Sequence, residues 1–476
     1  MTPAGWSSPT YSTGRPSARS ASVESVTPRL ADIVKAYDIR GVVPDQLDES
    51  IARDIGAAFV RYLAADRIVI GYDMRESSPG LASGFAAGAM AQGADVIEVG
   101  LASTDLLYFA AGSLDIPGAM FTASHNPARY NGIKLCRAGA APVGQDSGLA
   151  DIRAMVEGGL PTYDGAAGSL SRRDLLGDYS GYLKSLVPDI ANIRALKVVV
   201  DAGNGMGGLT VPTVFDDLPL DVTELFFALD GNFPNHEANP IDPANLRDLQ
   251  VKVREVRADL GLAFDGDADR CFVVDERGEI VSPSALTALI AARELDREPG
   301  ATVIHNLITS HAVPEIVRER GGEPVRTRVG HSFIKATMAE TGAIFGGEHS
   351  GHFYFRDFWR ADSGMLAALH VLSALGTQDG TLSDLLAQFS RYADSGEINS
   401  EVDDVAASAD AVRAAFADRE GAVIDDLDGL TVELADGSWF NLRPSNTEPL
   451  LRLNVEAADQ AGVDRLRDEV LAIIRD

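Results

Sequence analysis

Ser124 stands in a short polar stretch whose residue types could carry chemistry. An apolar run ends just before it, and the turn-forming residues His125, Asn126 and Pro127 follow it. A serine held in a loop between backbone amides, with a histidine beside it, is a candidate nucleophile or phosphate carrier. The same residue types also begin ordinary turns and helices. The function of Ser124 therefore depends on the partners that the rest of the chain supplies.

The strongest local signal is an acidic loop between two apolar segments. Asp265, Asp267 and Asp269 alternate with other residues between Leu260–Phe264 and Cys271–Val274. Three carboxylates this close repel one another unless a cation offsets their charge, and hard oxygen ligands suit Mg²⁺ or Ca²⁺. An EF-hand is not indicated, because an arginine occupies the loop position that requires glycine and the flanks resemble strands. A solvated acidic turn is the alternative, but the apolar strands on both sides favour a metal site.

A glycine-rich loop later in the chain could bind a polar ligand. Residues 346–352 read Gly-Gly-Glu-His-Ser-Gly-His, and glycine permits a ligand to approach the backbone closely. Glu348 could accept hydrogen bonds from sugar hydroxyls, and Ser350 could donate to them. The two histidines lack the helical H-E-x-x-H spacing of a metal site, so we assign none. A flexible loop without a binding role is the alternative.

A second polar loop lies near the end of the chain. Arg443 opens it, Ser445, Asn446 and Thr447 follow, and Arg452 lies just beyond. An arginine with two hydroxyls, an amide and free backbone N–H groups makes a good phosphate cradle. A polar hairpin turn is the alternative. The distance in sequence from Ser124 suggests that this loop holds a part of the substrate that does not react.

A second glycine-rich run supports a rival hypothesis. Gly203–Gly208 follows the apolar segment Lys197–Val200 and matches the dinucleotide pattern G-x-G-x-x-G, with Glu224 at about the expected distance. An NAD-dependent oxidoreductase would explain this pattern. However, the run lies mid-chain, and Asp201 would place a carboxylate beside the pyrophosphate. A glycine-rich turn that closes a βα unit is therefore the favoured interpretation.

The composition limits the class of protein. The 476 residues suffice for three or four domains, and the contents of 45% apolar and 23% charged residues are ordinary for soluble globular proteins. No apolar run reaches the ~18–20 residues of a membrane span. A net charge of −29 disfavours a nucleic-acid surface and requires that any phosphate site be a local cluster of basic groups. Cys136 and Cys271 lie far apart, which fits a reducing compartment, so we predict a cytoplasmic protein without nucleic-acid or membrane partners.

The order of apolar segments predicts the fold class. Segments such as Arg67–Arg75, an apolar strand that ends in a polar loop, alternate with helical stretches such as Asp48–Ala64. This alternation is typical of parallel sheets with helices on both faces. In such sheets ligands bind at the carboxyl ends of strands, where Ser124 lies. Tyr37–Gly41 is expected to form a turn, and Ala457–Arg475 a final amphipathic helix. We predict a disordered extension (1–29), three α/β domains with mixed or parallel sheets (30–172, 173–280 and 281–395) and a C-terminal α+β domain (396–476).

Taken together and in this order, the serine, acidic, glycine-rich and Arg443 loops resemble those of the α-D-phosphohexomutases, most closely the bacterial phosphomannomutase/phosphoglucomutase group. The resemblance runs from about Val34 to the C terminus. It implies four domains around a central cleft, with Mg²⁺ and a hexose 1,6-bisphosphate as cofactor and intermediate. The reaction implied is the interconversion of mannose 6-phosphate and mannose 1-phosphate, with action on glucose phosphates as a second activity or as the main alternative. A monomer or homodimer is expected.

The resemblance also implies roles for single residues. Ser124 would carry the phosphoryl group, and Asp265, Asp267 and Asp269 would bind Mg²⁺, which also contacts the phosphoserine. Glu348 and Ser350 match the sugar-binding loop, and the phosphate-binding loop is matched by Arg443, Ser445, Asn446 and Thr447, with Arg452 beyond it. Further active-site positions fall on Tyr37, Arg40, Lys134, Arg270 and His331, and His125 would tune the site or move a proton. Relatives often carry a lysine in the segment that matches residues 305–309, which has none here.

Overall fold

A computed structural model describes residues 30–444 and 450–475, without the side chain of His331. The predicted N-terminal extension (1–29) lies outside the described residues, as do Ser445, Asn446 and Thr447 of the predicted phosphate loop. The described residues form four sheets, each with its own helices. None of the helices within these ranges is long and apolar enough to cross a membrane.

The first unit contains a six-stranded mixed sheet in the order β1-β5-β4-β2-β3-β6. Its helices and strands are α1 (Leu30–Ile33), β1 (Ile39–Val42), α2 (Glu49–Leu63), β2 (Arg67–Tyr72), α3 (Ser78–Ala91), β3 (Asp95–Leu101), α4 (Thr104–Leu114), β4 (Gly118–Phe121), β5 (Tyr130–Cys136), α5 (Leu149–Gly158) and β6 (Leu170–Arg172). Strands β4, β2, β3 and β6 are parallel to one another. Strand β5 is antiparallel to its two neighbours, β4 and β1, so β1 runs in the same direction as β4. Because β2 and β4 are parallel neighbours, the residues that follow them meet at one edge of the sheet.

The turn predicted at Tyr37–Gly41 is present only at Tyr37 and Asp38, which lie in a bend, because β1 begins at Ile39. Ile39 pairs with Ile133 of β5 and is 1% exposed, so its side chain packs into the core of the first unit. The helix predicted at Asp48–Ala64 is present as α2. Asp48 caps it by accepting a hydrogen bond from the N–H of Ile51 at 2.8 Å, as a helix N-cap should.

The second unit has a four-stranded sheet in the order β10-β9-β7-β8, with β10 antiparallel to the rest. Its elements are α6 (Leu176–Leu186), β7 (Leu196–Asp201), α7 (Gly207–Phe215), β8 (Leu220–Leu225), α8 (Arg247–Val256), β9 (Leu260–Phe264) and β10 (Cys271–Asp275). Every residue of β9 and β10 is buried. The acidic loop therefore connects two strands that are fixed on both faces.

The third unit has a five-stranded mixed sheet in the order β12-β11-β13-β14-β15. Its elements are α9 (Pro283–Arg297), β11 (Thr302–Asn306), α10 (Ala312–Glu319), β12 (Glu323–Thr327), α11 (His331–Thr341), β13 (Phe345–Gly347), β14 (Phe353–Phe355), β15 (Ala361–Asp362), α12 (Gly364–Gly376) and α13 (Leu382–Leu386). All residues of α12 are buried. This helix lies in a hydrophobic core that continues through the first three units.

The fourth unit is an antiparallel sheet packed against two helices. Its elements are β16 (Ala393–Asp394), β17 (Ile398–Glu401), α14 (Val405–Ala417), β18 (Val423–Asp425), β19 (Leu430–Glu433), β20 (Trp439–Pro444), β21 (Leu450–Ala457) and α15 (Gln460–Arg475). The final helix starts later than predicted, because Ala457 ends β21 by pairing with Ala393. The predicted fold class, three α/β units and a C-terminal α+β unit, is thus confirmed.

Candidate active site

Ser124 lies in the loop that follows β4, at the edge of the first sheet. Its backbone has a φ of 49°, in the left-handed region that residues with a Cβ seldom adopt. The Ser124 N–H donates to Thr122 Oγ1 at 2.9 Å, and the residue is 5% exposed. This backbone turns the hydroxyl toward the second unit, where Ser124 Oγ donates to Asp265 Oδ2 at 2.8 Å.

The acidic loop between β9 and β10 brings three buried carboxylates together. Asp265, Asp267 and Asp269 are at most 1% exposed, and each offers an oxygen within 4.8 Å of the other two. Oδ1 of Asp267 and Oδ1 of Asp269 are buried without a hydrogen-bond partner among the described residues. Buried carboxylate oxygens without partners are costly, and a hard cation is the ligand that they suit. The donor set therefore fits Mg²⁺.

Close backbone contact holds the serine loop against the acidic loop. A Cβ on Gly266 would lie 2.4 Å from the carbonyl oxygen of Ser124, a distance that real Cβ atoms do not reach. Thr104, at the start of α4, donates its hydroxyl to Asp267 Oδ2, and its N–H donates to the Asp267 carbonyl. The positions of the carboxylates are thus set by groups from two different units.

Two cations offset part of the charge of the acidic loop. Lys134 of β5 donates from Nζ to Asp267 Oδ2 at 2.7 Å and to Asp269 Oδ2 at 2.6 Å, and Arg270 Nη2 lies 2.8 Å from Asp265 Oδ2. Burial raises the pKa of Asp265 above its ordinary value in spite of Arg270. Burial also works to raise the pKa of Asp267, but the Lys134 ammonium outweighs it and the pKa is lowered. The same aspartates hold the pKa of Lys134 well above its usual range against the effect of burial.

His125 contacts both the serine and the arginine. Its Nδ1 accepts a hydrogen bond from the Arg270 guanidinium and lies 3.2 Å from Ser124 Oγ. Burial, followed by the charges of Arg270 and Arg40, holds the pKa of His125 well below its usual range. The imidazole is therefore neutral, and its Nδ1 is an acceptor because an arginine can only donate.

Two other N-terminal residues border this site. Arg40 of β1 donates from Nη1 to the Asn126 side chain at 2.7 Å, which places the guanidinium beside the serine loop. The Tyr37 hydroxyl lies near the third unit, where a Cβ on Gly330 would come within 2.8 Å of it. Burial raises the pKa of Tyr37. The side chain of His331, which begins α11 next to Gly330, lies outside the part of the chain that is described.

The loop between β13 and β14 contacts the acidic loop through its backbone. His352 forms an antiparallel bridge with Arg270, and the Cys271 N–H donates to the Gly351 carbonyl at 3.3 Å. Ser350 Oγ and His352 Nδ1 lie 3.1 Å apart, and His352 Nε2 lies 3.6 Å from Asp269 Oδ1. The predicted sugar loop thus reaches the same cluster of carboxylates.

Glu348 of this loop, which was predicted to bind sugar hydroxyls, is buried and hydrogen-bonded within the protein. It is 2% exposed, and its Oε2 accepts from the Tyr354 hydroxyl at 2.6 Å. Its Oε1 accepts from the Gly330 N–H at 3.1 Å and from Asn306 Nδ2 at 3.3 Å. These bonds fix the carboxylate between β11, β14 and the turn before α11.

The two predicted phosphate-binding arginines face each other across β20 and β21. Arg443 pairs in register with Arg452. Glu397 lies between their side chains, with its carboxylate oxygens 3.4 Å from Arg443 Nη2 and 3.6 Å from Arg452 Nη1. Asp428 is 3.9 Å from Arg443. Two carboxylates thus face the two guanidiniums, which lie on the strands that flank the undescribed loop.

Sequence reasoning assigned no role to several groups that hold this site. They are Asp73, Arg75, Thr104 and His352. Asp73 and Arg75 follow β2 directly, and β2 is the parallel neighbour of β4. Polar residues after one strand of a parallel pair meet those after the other, so the strand order was the signal that could have found them.

The glycine-rich run that suggested a dinucleotide site serves a packing role. A Cβ on Gly205 would lie 2.6 Å from the Gly266 carbonyl oxygen, and one on Gly208 would lie 2.2 Å from the Phe227 carbonyl oxygen. The Met206 N–H donates to the Gly266 carbonyl at 2.9 Å. Because protein backbone occupies the space against these glycines, the run supports the acidic loop and not a pyrophosphate.

Comparisons with known proteins agree with this arrangement. Models of the phosphoglucomutase/phosphomannomutase family match the chain in all four domains: α/β/α domains I, II and III at residues 31–159, 179–278 and 282–392, and the C-terminal domain at 397–473. A protein of Xanthomonas campestris pv. campestris named Phosphohexose mutases is 42% identical over 447 residues, 92% of this chain and 98% of that protein. A Phosphomannomutase of Escherichia coli is 40% identical over 453 residues, 93% of this chain and 98% of that protein. The crystal structure of a phosphoglucomutase/phosphomannomutase family protein from Burkholderia thailandensis is 35% identical, with a TM-score of 0.83 over 93% of this chain and 97% of that one.

Proposed function

Because the chain belongs to the phosphoglucomutase/phosphomannomutase family, we propose that it is a phosphomannomutase that works through a phosphoserine at Ser124. It interconverts mannose 6-phosphate and mannose 1-phosphate by way of a hexose 1,6-bisphosphate. The similarity to proteins named for phosphomannomutase and phosphohexose mutase activity supports this class of substrate. Glucose phosphates are the second substrate to test, since the family name covers both sugars.

The observation that carries the proposal is the contact between Ser124 Oγ and Asp265 Oδ2 at 2.8 Å, inside a cluster of three buried aspartates. A hydroxyl in an ordinary turn would not be aimed at such a cluster. A phosphoryl group on this oxygen would extend among Arg270, Lys134 and the acidic loop. Fixed positive charge at that place stabilises the charge that spreads over a transferring phosphoryl group.

Each half-reaction moves one phosphoryl group. The Oγ–P bond of phosphoserine breaks, and phosphorus bonds to the O6 or O1 hydroxyl oxygen of the bound hexose phosphate. The sugar hydroxyl gives up its proton, and Ser124 regains one. After the bisphosphate turns over in the cleft, the reverse transfer returns its other phosphoryl group to Ser124. His125 orients the serine hydroxyl and Arg270, both of which it contacts.

We propose that Asp265, Asp267 and Asp269 hold Mg²⁺, with Ser124 as a fourth ligand. When bound, the ion would neutralise negative charge on the transferring group. The protein's own contribution is to present carboxylate oxygens that nothing else saturates. Lys134 bonds one oxygen of Asp267 and one of Asp269, which leaves the other oxygen of each available to a cation.

The second phosphate of the substrate needs a separate site. Arg443 and Arg452, with Ser445, Asn446 and Thr447, are proposed to grip the phosphate that does not react. Tyr37, Arg40, Glu348, Ser350 and His331 are proposed to border the sugar. Closure of the fourth unit over the cleft would exclude water, which otherwise hydrolyses phosphoserine. Oligomeric state, monomer or homodimer, stays a prediction.

A side-by-side coupled assay tests this function. Mannose 1-phosphate and glucose 1-phosphate are compared with Mg²⁺ and a trace of hexose bisphosphate. We expect turnover of mannose 1-phosphate, and its loss in Ser124→Ala. Full turnover by Ser124→Ala would contradict the proposal, and a strong preference for glucose 1-phosphate would reassign the main activity to phosphoglucomutase.

A further inference from the structure

Arg75 is a buried arginine whose hydrogen bonds converge on the serine loop. It follows β2 and is 1% exposed. Its two terminal nitrogens donate to four backbone carbonyls. Three belong to this loop, Ser124 at 2.9 Å, Asn126 at 2.6 Å and Pro127 at 3.0 Å, and the fourth is Tyr130, the first residue of β5, at 3.0 Å. Its Nε donates to Asp73 Oδ2 at 3.2 Å. All five N–H donors of the guanidinium are thus used, three of them on the serine loop and one at the start of the strand that follows it.

The conformation of Ser124 explains why such bonds are needed. A φ of 49° at a residue with a Cβ costs about 1–2 kcal/mol and persists where the surroundings impose it. Arg75 holds the Ser124 carbonyl. On the other side of the residue, the Ser124 N–H is held by Thr122 Oγ1. Asp73, which binds Arg75, donates its own N–H to the Phe121 carbonyl at 3.0 Å and so joins the arginine to the end of β4. Both peptide groups that set the direction of the Ser124 side chain are thus held, one by Thr122 and one by Arg75.

The second unit covers Arg75. The Phe233 ring lies 5.1 Å from the Arg75 guanidinium carbon, in a cation–π contact. A Cβ on Gly231 would lie 2.6 Å from Arg75 Cα, so this turn packs directly on the arginine backbone. Away from water, hydrogen bonds from a charged donor are stronger and less mobile. The unit that carries the acidic loop thus also fixes the serine loop that faces it.

We propose that Arg75 is a positioning residue that directs the phosphoryl group of Ser124 to the sugar instead of to water. The inference rests on the proposed function. The Oγ–P bond of phosphoserine breaks both in transfer to the sugar and in hydrolysis. In transfer, phosphorus bonds to a hydroxyl oxygen of the hexose phosphate, and that hydroxyl's proton replaces phosphorus on Ser124. In hydrolysis, water supplies the oxygen and the proton, and inorganic phosphate is released.

The two outcomes differ in how much geometry they require. A bound sugar hydroxyl has one position, and a misplacement of about 1 Å can lower the rate of transfer about 10²-fold. Water is mobile and approaches from many directions, so loosening the loop slows hydrolysis far less. Loss of the Arg75 bonds is therefore expected to raise the ratio of hydrolysis to transfer.

The test uses the full-length enzyme and the conservative variant Arg75→Lys. Lysine keeps the charge next to Asp73 but lacks the planar fork that reaches four carbonyls. Each protein is phosphorylated with hexose 1,6-bisphosphate and mixed with mannose 1-phosphate. The released inorganic phosphate is divided by the mannose 6-phosphate formed. This ratio does not depend on the fraction of folded enzyme, so a merely structural loss would leave it unchanged.

We expect Arg75→Lys to raise the ratio about tenfold or more, with KM for mannose 1-phosphate within about twofold, since other residues contact the substrate. The matched control is Arg293→Lys, because Arg293 is also an arginine bonded to a serine, Ser373 at 2.7 Å, but in α9 outside the site. Its ratio should equal that of the wild type. A wild-type ratio in Arg75→Lys would overturn the inference.

If Arg75→Lys does not fold, Phe233→Leu removes the ring over Arg75 and keeps the arginine. A ratio raised about threefold or more would support the inference, and an unchanged ratio would overturn it. Failure of the proposed function gives a different result. The wild type would then form neither phosphoserine nor mannose 6-phosphate, which would overturn both statements.

Discussion

The charges beside Ser124 are distributed unequally among single side chains. Asp265 receives both the Ser124 hydroxyl and Arg270, whereas Asp267 and Asp269 share the Lys134 ammonium. Each of the latter keeps one buried oxygen that has no hydrogen-bond partner within the described ranges. Leaving such an acceptor buried costs about 1–3 kcal/mol or more. Binding of a cation at these oxygens would remove that cost.

Asp267→Asn tests this distribution at the residue scale. The change removes one charge and one anionic ligand, so we expect the Kd for Mg²⁺, measured by titration calorimetry, to rise at least about tenfold. Asp201→Asn is the control, because Asp201 is equally buried but bonds to His236 and to the Gly203 N–H. Unchanged Mg²⁺ binding by Asp267→Asn would mean that the acidic loop is not the metal site.

At the scale of elements, three parts of the fold meet at one buried carboxylate. Asp105 of α4 accepts from the Tyr179 hydroxyl of α6 at 2.7 Å and from the Ser363 hydroxyl before α12 at 2.6 Å. Ser103, the N-cap of α4, donates to it as well. Burial raises the pKa of Asp105 to about 6 in spite of these donors. Asp105 therefore takes up its proton at a higher pH in the folded protein than in the unfolded chain.

The sign of the resulting pH dependence follows from this raised pKa. The stabilisation from protonated Asp105 is complete below the pKa of an unfolded aspartate and is lost as the pH rises through about 6. We expect the wild type to lose up to roughly 3 kcal/mol relative to Asp105→Asn between pH 4 and pH 8. The free energy of unfolding of both proteins, measured across this pH range, checks the prediction. Asp151→Asn is the control, because Asp151 is an exposed residue of α5. A difference between Asp105→Asn and wild type that does not vary with pH would contradict the account.

The contact between the serine loop and the acidic loop gives a second prediction at this scale. Gly266→Ala would put a Cβ 2.4 Å from the Ser124 carbonyl, so the two loops must separate. We expect a destabilisation of about 1–3 kcal/mol and a large loss of mutase activity. Gly177→Ala in α6 is the control, since nothing lies within 4 Å of its Cβ, and it should be neutral or slightly stabilising. Equal effects of both substitutions would argue against close packing of the loops.

At the scale of the whole molecule, the fourth unit stands apart from the rest. The first three units share one hydrophobic core, whereas the fourth has its own. Its contacts with the third unit include a polar one, in which Glu456 Oε1 accepts from the His311 N–H at 3.0 Å. Within the fourth unit, Trp439 Nε1 donates to the same oxygen at 2.8 Å. The His311 and Trp439 rings stack with centroids 5.4 Å apart. Rotation of the fourth unit would therefore not require the core shared by the other three units to open.

Trp439 therefore provides a signal for movement of the fourth unit. Its stacking on His311 should change when the cleft closes, so we expect hexose phosphate to change the intrinsic fluorescence. The change should disappear in Trp439→Phe and persist in Trp359→Phe, since Trp359 stacks on Tyr182 between other units. A fluorescence change that persists in Trp439→Phe would show that the interface between the third and fourth units does not respond to substrate.

Regular periodicity made most of the fold predictable. The core strands β9 and β10 and helix α2 lie within a residue or two of their predicted bounds, because burial patterns mark them locally. The strand β1 was missed because its pairing with β5 is a contact between distant segments. Pairing between distant segments also explains the error at the start of the final helix, since its first predicted residue, Ala457, instead pairs with Ala393 in a strand.

Site residues that stand together in one short sequence motif were predicted. Those that folding brings in from separate parts of the chain were missed. Ser124 and the three aspartates stand in short, distinctive runs, and the structure brings them into contact. Arg75 and Thr104 carry no motif, and their roles arise when β2 and α4 meet loops from elsewhere in the chain. Glu348 is likewise held by hydrogen bonds from Tyr354 and Gly330, which sequence reasoning did not connect to it.

The central claim is that Ser124 passes its phosphoryl group directly to the sugar. A single-turnover experiment tests it: enzyme labelled on Ser124 is mixed with mannose 1-phosphate and quenched at intervals. We expect label to leave the protein at the rate at which it appears in hexose bisphosphate and mannose 6-phosphate. Label that stays on Ser124 while mannose 6-phosphate forms, or that leaves only as inorganic phosphate, would contradict the account.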